Sequence, residues 1–272
     1  MILIDLIKAA IKEDMPHGDV TTESMAVTPK QGSAKLKAKE DIILSGTAPF
    51  EQCVLILEPN AYIKWYFEDG QEVLKGQNIC VIDGDLVQIL KAERVALNFL
   101  GHLSGIATYT RKFVKKLEGT KTQILDTRKT TPGLRNLEKR AVVDGGGINH
   151  RMNLSSAILI KDNHIALMAG LKKAVLRARE HSNLAIEVEA SNLEQVKEAV
   201  DVKVNRILLD NMDLETLKKA TALIPPEIET EASGNMSLDR VRAVAETGVN
   251  YISVGALTHS APVADVSLTF EW

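Results

Sequence analysis

The sequence has few cysteines and no excess of charge of either sign. Only Cys53 and Cys80 occur in 272 residues, and neither stands in a CxxC or a Cys/His spacing. This excludes a disulfide framework and a structural zinc site, and it favours a reducing compartment, the cytoplasm. The formal net charge is −3, so no broad positive face is available for nucleic acid, and any anion must be bound locally.

Long apolar runs are also absent. No stretch approaches the roughly 18 uninterrupted apolar residues that a membrane span needs. The segment MILIDLIKAAIKED is apolar, but it carries Asp5 early and has no basic leader, so it predicts an amphipathic helix. With 45% apolar and 25% charged residues, and without a low-complexity tract, the chain is typical of a soluble globular protein with no membrane partner.

The pattern of predicted strands and helices changes near a helical run that begins about Val87 and continues past Gly105. Before it, short predicted strands around 35–39, 42–44, Ile63 and Ile79 mix with helices, which is typical of a small α+β domain. After it, strands and helices alternate, which indicates parallel strands with right-handed crossovers. Six such units fit a shortened barrel, and an open doubly wound sheet remains the alternative.

The predicted strands of the second half end in polar or small residues, near Asp126, Lys161, Glu189, Asp210, Glu231 and Gly255. In parallel α/β folds the ligand lies at the carboxyl ends of the strands, so these residues are predicted to meet. Glu187 and Glu189 share one face of their strand because they are two residues apart. Glu229, Glu231 and Ser233 repeat that spacing. Any one of these carboxylates, taken alone, is better explained by a simple pair with a neighbouring lysine, but six strands with the same pattern favour a shared site.

Basic residues supply the opposite charge. Arginine grips carboxylate or phosphate with a planar fork and lysine acts as a point charge, so together they predict an anion clamp. Its candidates are Arg128, Lys129, His150, Arg151 and Lys161, with Arg94 and Arg135 in addition. Arg135 and Arg140 fit a solvated turn equally well. Lys161 differs, because it follows the apolar run SAILI, where unpaired burial would be costly.

Glycine-containing segments offer candidate phosphate sites. Ser233-Gly234-Asn235 lies between a strand and a helix, the usual context of a phosphate cradle, and Gly255 is a further candidate. The run Asp144 to Gly147 more often indicates a flexible turn. The histidines His164, His181 and His259 have no metal-ligand spacing; we predict that His181 is a surface residue and that the other two support the site.

Taken in order, these motifs resemble the quinolinate phosphoribosyltransferase family, the decarboxylating nicotinate-nucleotide pyrophosphorylases of NAD biosynthesis. The resemblance covers nearly the whole chain. It is carried by EDMPHGDVTT, ERVALNFLGHLSGIAT, TRKTTPGLR, GGGINHRMNLSSAILIKDNH, EVEA, LLDNM, EASGN and ISVGALTHSAPVADVSL. GDVTT or EASGN alone would be weak, but the series is specific.

The resemblance implies an α/β fold of the type II phosphoribosyltransferase kind. An N-terminal α/β sandwich domain would span 1–104, an incomplete α/β barrel 105–265, and the tail 266–272 would pack with the first domain. It also implies a homodimer, with a higher oligomer left open, in which the helix carrying Arg94 completes the partner's site.

The same resemblance implies the reaction and the residues that perform it. The enzyme would transfer the phosphoribosyl group of phosphoribosyl pyrophosphate to quinolinate with decarboxylation, giving nicotinate mononucleotide, pyrophosphate and carbon dioxide. The implied quinolinate set is Arg94, Arg128, Lys129, Thr130, His150, Arg151 and Lys161. The implied phosphoribosyl pyrophosphate set is Lys129, Glu189, Asp210, Ser233, Gly234, Asn235 and Gly255. Glu189 and Asp210 would hold Mg²⁺, directly or through water, and the implied catalytic residues are Lys129, Lys161, Glu189 and Asp210.

Two places depart from the family's commonest pattern. Asn235-Met236 replaces a more usual Gly-Ile, and Pro16-His17 interrupts an acidic loop, which affects loop detail only.

Four other functions stay open. A nicotinate-specific relative would need fewer cations than His150, Arg151 and Lys161 provide, and LIKDNH disfavours the molybdenum-associated relative. A biotinyl or lipoyl carrier would need other residues around Lys75. A non-catalytic phosphate-binding barrel would bind ligand without releasing pyrophosphate.

Overall fold

The computed structural model describes residues 2–271, which form two compact units. The first unit takes the chain up to Arg111, Thr131–Gly146 and the chain from Ser260 onward. The second unit takes Lys112–Thr130 and Gly147–His259. None of the helices within 2–271 is both long and apolar enough to cross a membrane.

The first unit is built on a four-stranded antiparallel sheet of order β12-β1-β5-β3, beside a two-stranded pair β2-β4. Its elements are α1 (Leu3–Asp14), α2 (Val20–Ser24), β1 (Gln31–Ala38), β2 (Ile42–Ile43), α3 (Thr47–Leu57), β3 (Tyr62–Trp65), β4 (Glu72–Val73), β5 (Asn78–Asp85), α4 (Leu86–Lys116), α5 (Arg135–Asp144) and β12 (Val266–Glu271).

Alternation along the strands creates the core of the first unit. In β1, Leu36 is fully buried while Lys35 beside it points outward, because successive side chains of a strand face opposite sides. Phe50 of α3 packs edge-to-face on Trp65 of β3, with ring centroids 5.6 Å apart. Leu100 of α4 belongs to the same buried cluster. The apolar stripes of the helices therefore cover one face of the sheet.

The chain crosses between the units along one uninterrupted helix. The helical run expected from about Val87 past Gly105 is α4, so the predicted boundary at 104/105 falls inside a helix. The last strand, β12, pairs antiparallel with β1, with Leu36 opposite Leu268. The tail up to residue 271 thus lies in the sheet of the first unit, and Trp272 lies outside the described residues.

Gly105 of α4 allows close approach of the segment that leads into β12. A Cβ at Gly105 would lie 2.0 Å from the carbonyl oxygen of Pro262. In an exposed helix, alanine at such a position would stabilise the helix by roughly 0.5 to 1 kcal/mol. Overpacking costs about 1 to 3 kcal/mol, so the clash dominates.

We therefore expect Gly105→Ala to lower the free energy of unfolding by about 1 to 2 kcal/mol, measured by urea denaturation. Gly101→Ala is the matched variant. Its Cβ would lie 2.9 Å from the carbonyl oxygen of Ala264, a milder clash that small shifts of the surrounding atoms relieve more easily. Equal or greater stability of Gly105→Ala would contradict this account.

The second unit is a six-stranded parallel sheet with helices between its strands. Its elements are β6 (Gln123–Leu125), β7 (Ile158–Ile160), α6 (Asp162–Leu167), α7 (Leu171–His181), β8 (Ile186–Ala190), α8 (Leu193–Asp201), β9 (Arg206–Asp210), α9 (Leu214–Leu223), β10 (Glu229–Ser233), α10 (Val241–Ala245), β11 (Tyr251–Ser253) and α11 (Ala256–His259).

The strand order of the second unit decides between the two predicted architectures. It runs β6-β11-β10-β9-β8-β7, so β7 to β11 lie side by side in chain order and β6 joins the last of them. A doubly wound sheet would reverse its order at a switch point. The doubly wound alternative is therefore wrong, and the incomplete α/β barrel is confirmed, with β6 and β7 at its open edges.

Candidate active site

The carboxyl ends of the parallel strands open into one cavity of about 770 Å³ within the second unit. Its size lies within the range of ligand sites, which usually measure about 300 to 1,000 Å³. The lining residues are Thr127, Arg128, Lys129, His150, Arg151, Leu159, Lys161, Glu189, Leu208, Asp210, Asn211, Glu231, Ser233, Gly234, Asn235, Met236, Ser253, Gly255, Ala256 and His259.

Most of the predicted site residues meet in this cavity, and a few do not. Thr130 is half-buried just beyond Lys129 and does not line it, and Arg94 is exposed on α4 in the first unit. Arg135 and Arg140 belong to α5, also in the first unit. Asp144, at the end of that helix, is buried and accepts a hydrogen bond from Ser45 Oγ at 2.8 Å. The glycines after it therefore end a helix.

Two arginines place positive charge on one side of the cavity. Burial, and then the charge of Arg128, lower the pKa of Arg151 from its ordinary value. Arg151 is held by a hydrogen bond from Nη1 to the carbonyl oxygen of Ala157 at 2.9 Å. The buried Nε of Arg128 has no acceptor within residues 2–271. Because a buried donor without a partner is costly, this side is suited to an anionic ligand.

A lysine and two carboxylates lie across the mouth of the cavity. Lys161 Nζ is 2.6 Å from Glu189 Oε2, and Asn211 Nδ2 donates to Asp210 Oδ2 at 2.8 Å. His164 Nδ1 accepts from the backbone N–H of Lys161 at 3.0 Å and so caps α6. One oxygen of each carboxylate, Glu189 Oε1 and Asp210 Oδ1, accepts no hydrogen bond from the described part of the chain.

A buried cluster forms the floor of the cavity. His150 Nε2 lies 3.1 Å from Glu187 Oε2 and 3.5 Å from Glu231 Oε2. Arg206, the first residue of β9, reaches Glu231 at 3.3 Å and Glu229 at 2.7 Å. The sequence marked these glutamates only as sharing strand faces. Their pairing with His150 is set by the tertiary structure.

The two buried carboxylates do not ionise independently. Burial, and then the charge of Glu187, raise the pKa of Glu231 to about 8. Burial alone would raise the pKa of Glu187, but its hydrogen bond with His150 and the charges of His150 and Arg206 lower it. Glu187 is therefore the ionised member of the pair and Glu231 the protonated one near neutral pH.

His150 is held through both ring nitrogens. Burial lowers its pKa, while Glu187 and Glu231 raise it, and the net direction is upward. The backbone N–H of Arg151 opposes this effect, because it donates to His150 Nδ1 at 2.7 Å and so favours a ring with its proton on Nε2 alone. In either case Nε2 carries a proton, which lies toward Glu187 Oε2.

Two groups of residues are candidates for a metal ion. The side-chain ligand atoms of His150, Glu187 and Glu231 lie within 4.8 Å of one another. Arg206 already supplies a cation to that cluster. Glu189 and Asp210 line the cavity, and each has one oxygen that accepts no hydrogen bond from residues 2–271, which is the donor type that Mg²⁺ prefers. They are the better candidates.

A further part of the cavity wall is formed by small residues and tight turns. Gly234 and Asn235 both have positive φ, 98° and 48°. A Cβ at Gly255 would lie 3.0 Å from Lys129 Cδ and 3.3 Å from His259 Nε2, so glycine leaves space for both side chains. Thr258 Oγ1 donates to the carbonyl oxygen of Lys129 at 2.7 Å and fixes that backbone.

Several residues line the cavity although the sequence did not predict them as site residues, chiefly Asn211, Met236 and Ser253. Asn211 follows Asp210 directly after an apolar strand, so the strand-end rule would have found it. Met236 and Ser253 carry no charge, and their sequence positions gave no comparable signal.

The ionisation of Glu231 gives a testable pH dependence. The ordinary pKa of a glutamate is 4.5, and that of Glu231 in the folded protein is about 8. The protonated Glu231 therefore stabilises the folded state fully below pH 4.5, and this contribution is lost as the pH rises through about 8.

Glutamine mimics the protonated form, so the stability of Glu231→Gln relative to the wild type should increase between about pH 6 and about pH 9. Urea unfolding at both pH values measures it. The exposed Glu227→Gln is the control; a relative stability of Glu231→Gln that falls or stays constant with pH would contradict the assignment.

Comparison with known proteins gives a consistent result over the whole chain. Residues 19–104 match the model of the quinolinate phosphoribosyl transferase N-terminal domain, and residues 106–269 that of the C-terminal domain. The chain is 39% identical to the mitochondrial quinolinate phosphoribosyltransferase [decarboxylating] 2b of Nicotiana tabacum, over 99% of this chain and 82% of that protein. It is 41% identical to a probable nicotinate-nucleotide pyrophosphorylase [carboxylating] of Bacillus subtilis, over 94% and 89%.

Comparison with solved structures leads to the same family. The nicotinate-nucleotide pyrophosphorylase from Francisella tularensis superposes with a TM-score of 0.95 at 37% identity, covering 99% of this chain and 96% of that one. The resemblance carried by the ordered motifs is thereby confirmed, and the chain belongs to the quinolinate phosphoribosyltransferase family.

Proposed function

We propose that the protein transfers the phosphoribosyl group of phosphoribosyl pyrophosphate to quinolinate with loss of carbon dioxide, giving nicotinate mononucleotide for NAD biosynthesis. The observation that carries the proposal is one cavity lined by two chemically different groups of residues. Arg128 and Arg151 form a cationic side, and Glu189 and Asp210 form an acidic side, with Asp210 beside the Ser233–Asn235 turn. Lys161 links the two sides, because its Nζ lies 2.6 Å from Glu189 Oε2.

The cationic side fits a ring with two adjacent carboxylates. The unpartnered Nε of Arg128 and the neighbouring Arg151 can bind the carboxylates with planar forks, and Lys161 adds a point charge. The ring nitrogen of quinolinate is itself the nucleophile and is unprotonated at neutral pH, so no strong general base is needed. The main contribution of these residues is to position the ring.

The acidic side fits the ribose and diphosphate. Departure of pyrophosphate builds positive charge at the anomeric carbon, which Glu189 and Asp210 stabilise electrostatically. Each carboxylate offers an oxygen of the type that Mg²⁺ prefers, and a Mg²⁺ held by both would neutralise the departing diphosphate. Lys129 lines the cavity and packs beside Gly255, and its positive charge suits phosphate oxygens.

Decarboxylation follows from the first step. Once the ring nitrogen is bonded to ribose it is positively charged, and it stabilises the carbanion left when carbon dioxide departs from the adjacent carbon. That carbanion takes a proton from solvent water to give nicotinate mononucleotide, so the chain needs only to hold the quaternised ring beside the arginines.

The proposal includes a homodimer in the cytoplasm. Arg94 is exposed on α4 and does not line this chain's own cavity, which is consistent with a role in a partner's site. Apolar side chains in the second unit, Leu154 (70% exposed) and Leu167 (84% exposed), offer surface that a partner would cover. Both cysteines are free, as expected in a reducing compartment.

One assay separates the candidate functions. Purified protein is given Mg²⁺ and phosphoribosyl pyrophosphate with either quinolinate or nicotinate, and mononucleotide, pyrophosphate and carbon dioxide are measured. Turnover with quinolinate and equimolar carbon dioxide is expected, and it should stop with excess chelator. Turnover with nicotinate alone would reassign the substrate, and binding without pyrophosphate release would indicate a non-catalytic barrel.

A further inference from the structure

Asn211 connects the two parts of the acidic side. It follows Asp210 at the end of β9 and has a φ of 54°, in the left-handed region that asparagine tolerates better than most residues. In this conformation its side chain turns back, and Nδ2 donates to Asp210 Oδ2 at 2.8 Å. Oδ1 of Asp210, a residue that lines the cavity, accepts no hydrogen bond from the described residues.

The same residue also contacts the turn after β10. The backbone N–H of Asn211 donates to the carbonyl oxygen of Ser233 at 3.0 Å. A Cβ at Gly234 would lie 2.1 Å from Asn211 Oδ1, so the glycine is required for the two turns to fit together. Asn211 therefore sets both the rotamer of Asp210 and the position of Gly234.

A separate contact holds the backbone of these turns. Arg240 donates from Nη1 to the carbonyl oxygen of Gly234 at 3.1 Å and from Nη2 to that of Met212 at 2.7 Å. The side chain of Asn211 is thus not needed to keep the two turns adjacent. It is exposed and lines the cavity, which suits a role toward a ligand better than a role in stability.

We propose that Asn211 is a positioning residue for the phosphoribosyl pyrophosphate side, which directs one oxygen of Asp210 into the cavity and fits that carboxylate to the turn at Gly234. This inference rests on the proposed function. It assigns no contact to the quinolinate side, so the effects on the two substrates should separate.

The first test is Asn211→Asp. The change keeps the size and the left-handed tolerance but replaces the Nδ2 donor with an oxygen facing Asp210. A lost hydrogen bond to a charged group corresponds to an effect of about 10- to 100-fold. We expect KM for phosphoribosyl pyrophosphate to rise by about that factor at saturating Mg²⁺, while KM for quinolinate stays within about twofold and the Tm is unchanged.

Asn211→Gly is the second variant, since glycine adopts a positive φ freely and removes the whole side chain. It should show the same selective rise. Asn205→Asp is the matched control, because Asn205 precedes β9 at the opposite end of the strand and does not line the cavity. It should leave both KM values at the wild-type level.

The wild-type enzyme is assayed first, so that absence of turnover refutes the proposed function rather than this inference. With an active wild type, unchanged KM for phosphoribosyl pyrophosphate in Asn211→Gly overturns the inference. An equal rise for both substrates, or a fall in Tm that accounts for the loss, also overturns it by indicating a structural role.

Discussion

Replacement of Arg128 by alanine is expected to lower kcat/KM for quinolinate by about 30-fold to several thousand-fold, because truncating one partner of a buried charged contact costs about 2 to 5 kcal/mol. The buried Nε of Arg128 lacks an acceptor in the described chain, so its removal should not weaken the fold. Lys161→Ala should act in the same direction, with a smaller effect because the lysine is 46% exposed.

Two control variants accompany this experiment, and both change arginines of the second unit. Arg177→Ala removes an arginine that is 62% exposed and whose only ion-pair partner among residues 2–271 is Glu180 on the surface of α7. This variant should leave turnover unchanged. Arg128→Lys keeps the charge but loses the planar fork, so it should recover only part of the activity. Normal turnover in Arg128→Ala and Lys161→Ala would refute their assignment to the quinolinate side.

The second large effect is expected at the acidic side. Asp210→Asn removes a negative charge with almost no change in shape, and loss of such electrostatic stabilisation typically lowers kcat by about 10² to 10³. Because the open oxygen of Asp210 is a proposed Mg²⁺ ligand, the Mg²⁺ concentration for half-maximal activity should also rise. Initial rates across a Mg²⁺ titration at saturating substrates measure both effects.

Asp213→Asn makes the identical chemical change three residues later. Asp213 caps α9 by accepting from the backbone N–H of Thr216 at 2.7 Å, and asparagine is an equally good cap. This variant should keep both its activity and its Tm. If the two aspartate variants behave alike, Asp210 has no role in metal or substrate binding.

The strand-end pattern predicted much of the site because it depends on local sequence. Arg128, Lys161, Glu189 and Asp210 each follow an apolar run, and parallel strands carry such residues to the same edge of the sheet. Arg94 shows the limit of this approach. No local pattern relates it to the cavity, and its role in a partner's site rests on the family resemblance.

The protonation of the buried cluster was beyond the reach of sequence. Glu187 and Glu189 share a strand face, yet Glu189 pairs with the half-exposed Lys161 and Glu187 with the buried His150. Glu231 has a raised pKa only because it is buried beside Glu187. Desolvation and charge pairing depend on atoms from distant segments, so neither can be calculated from spacing.

The order of residues alone determined the alternation of strands and helices, the location of charge at strand ends and, through the ordered motifs, the family. Tertiary structure alone decided that the sheet is an incomplete barrel and that Asn211 joins two neighbouring turns. The reason is that strand order and side-chain partners are relations between segments far apart in the chain, and the free energy of those contacts exists only when the segments are packed together.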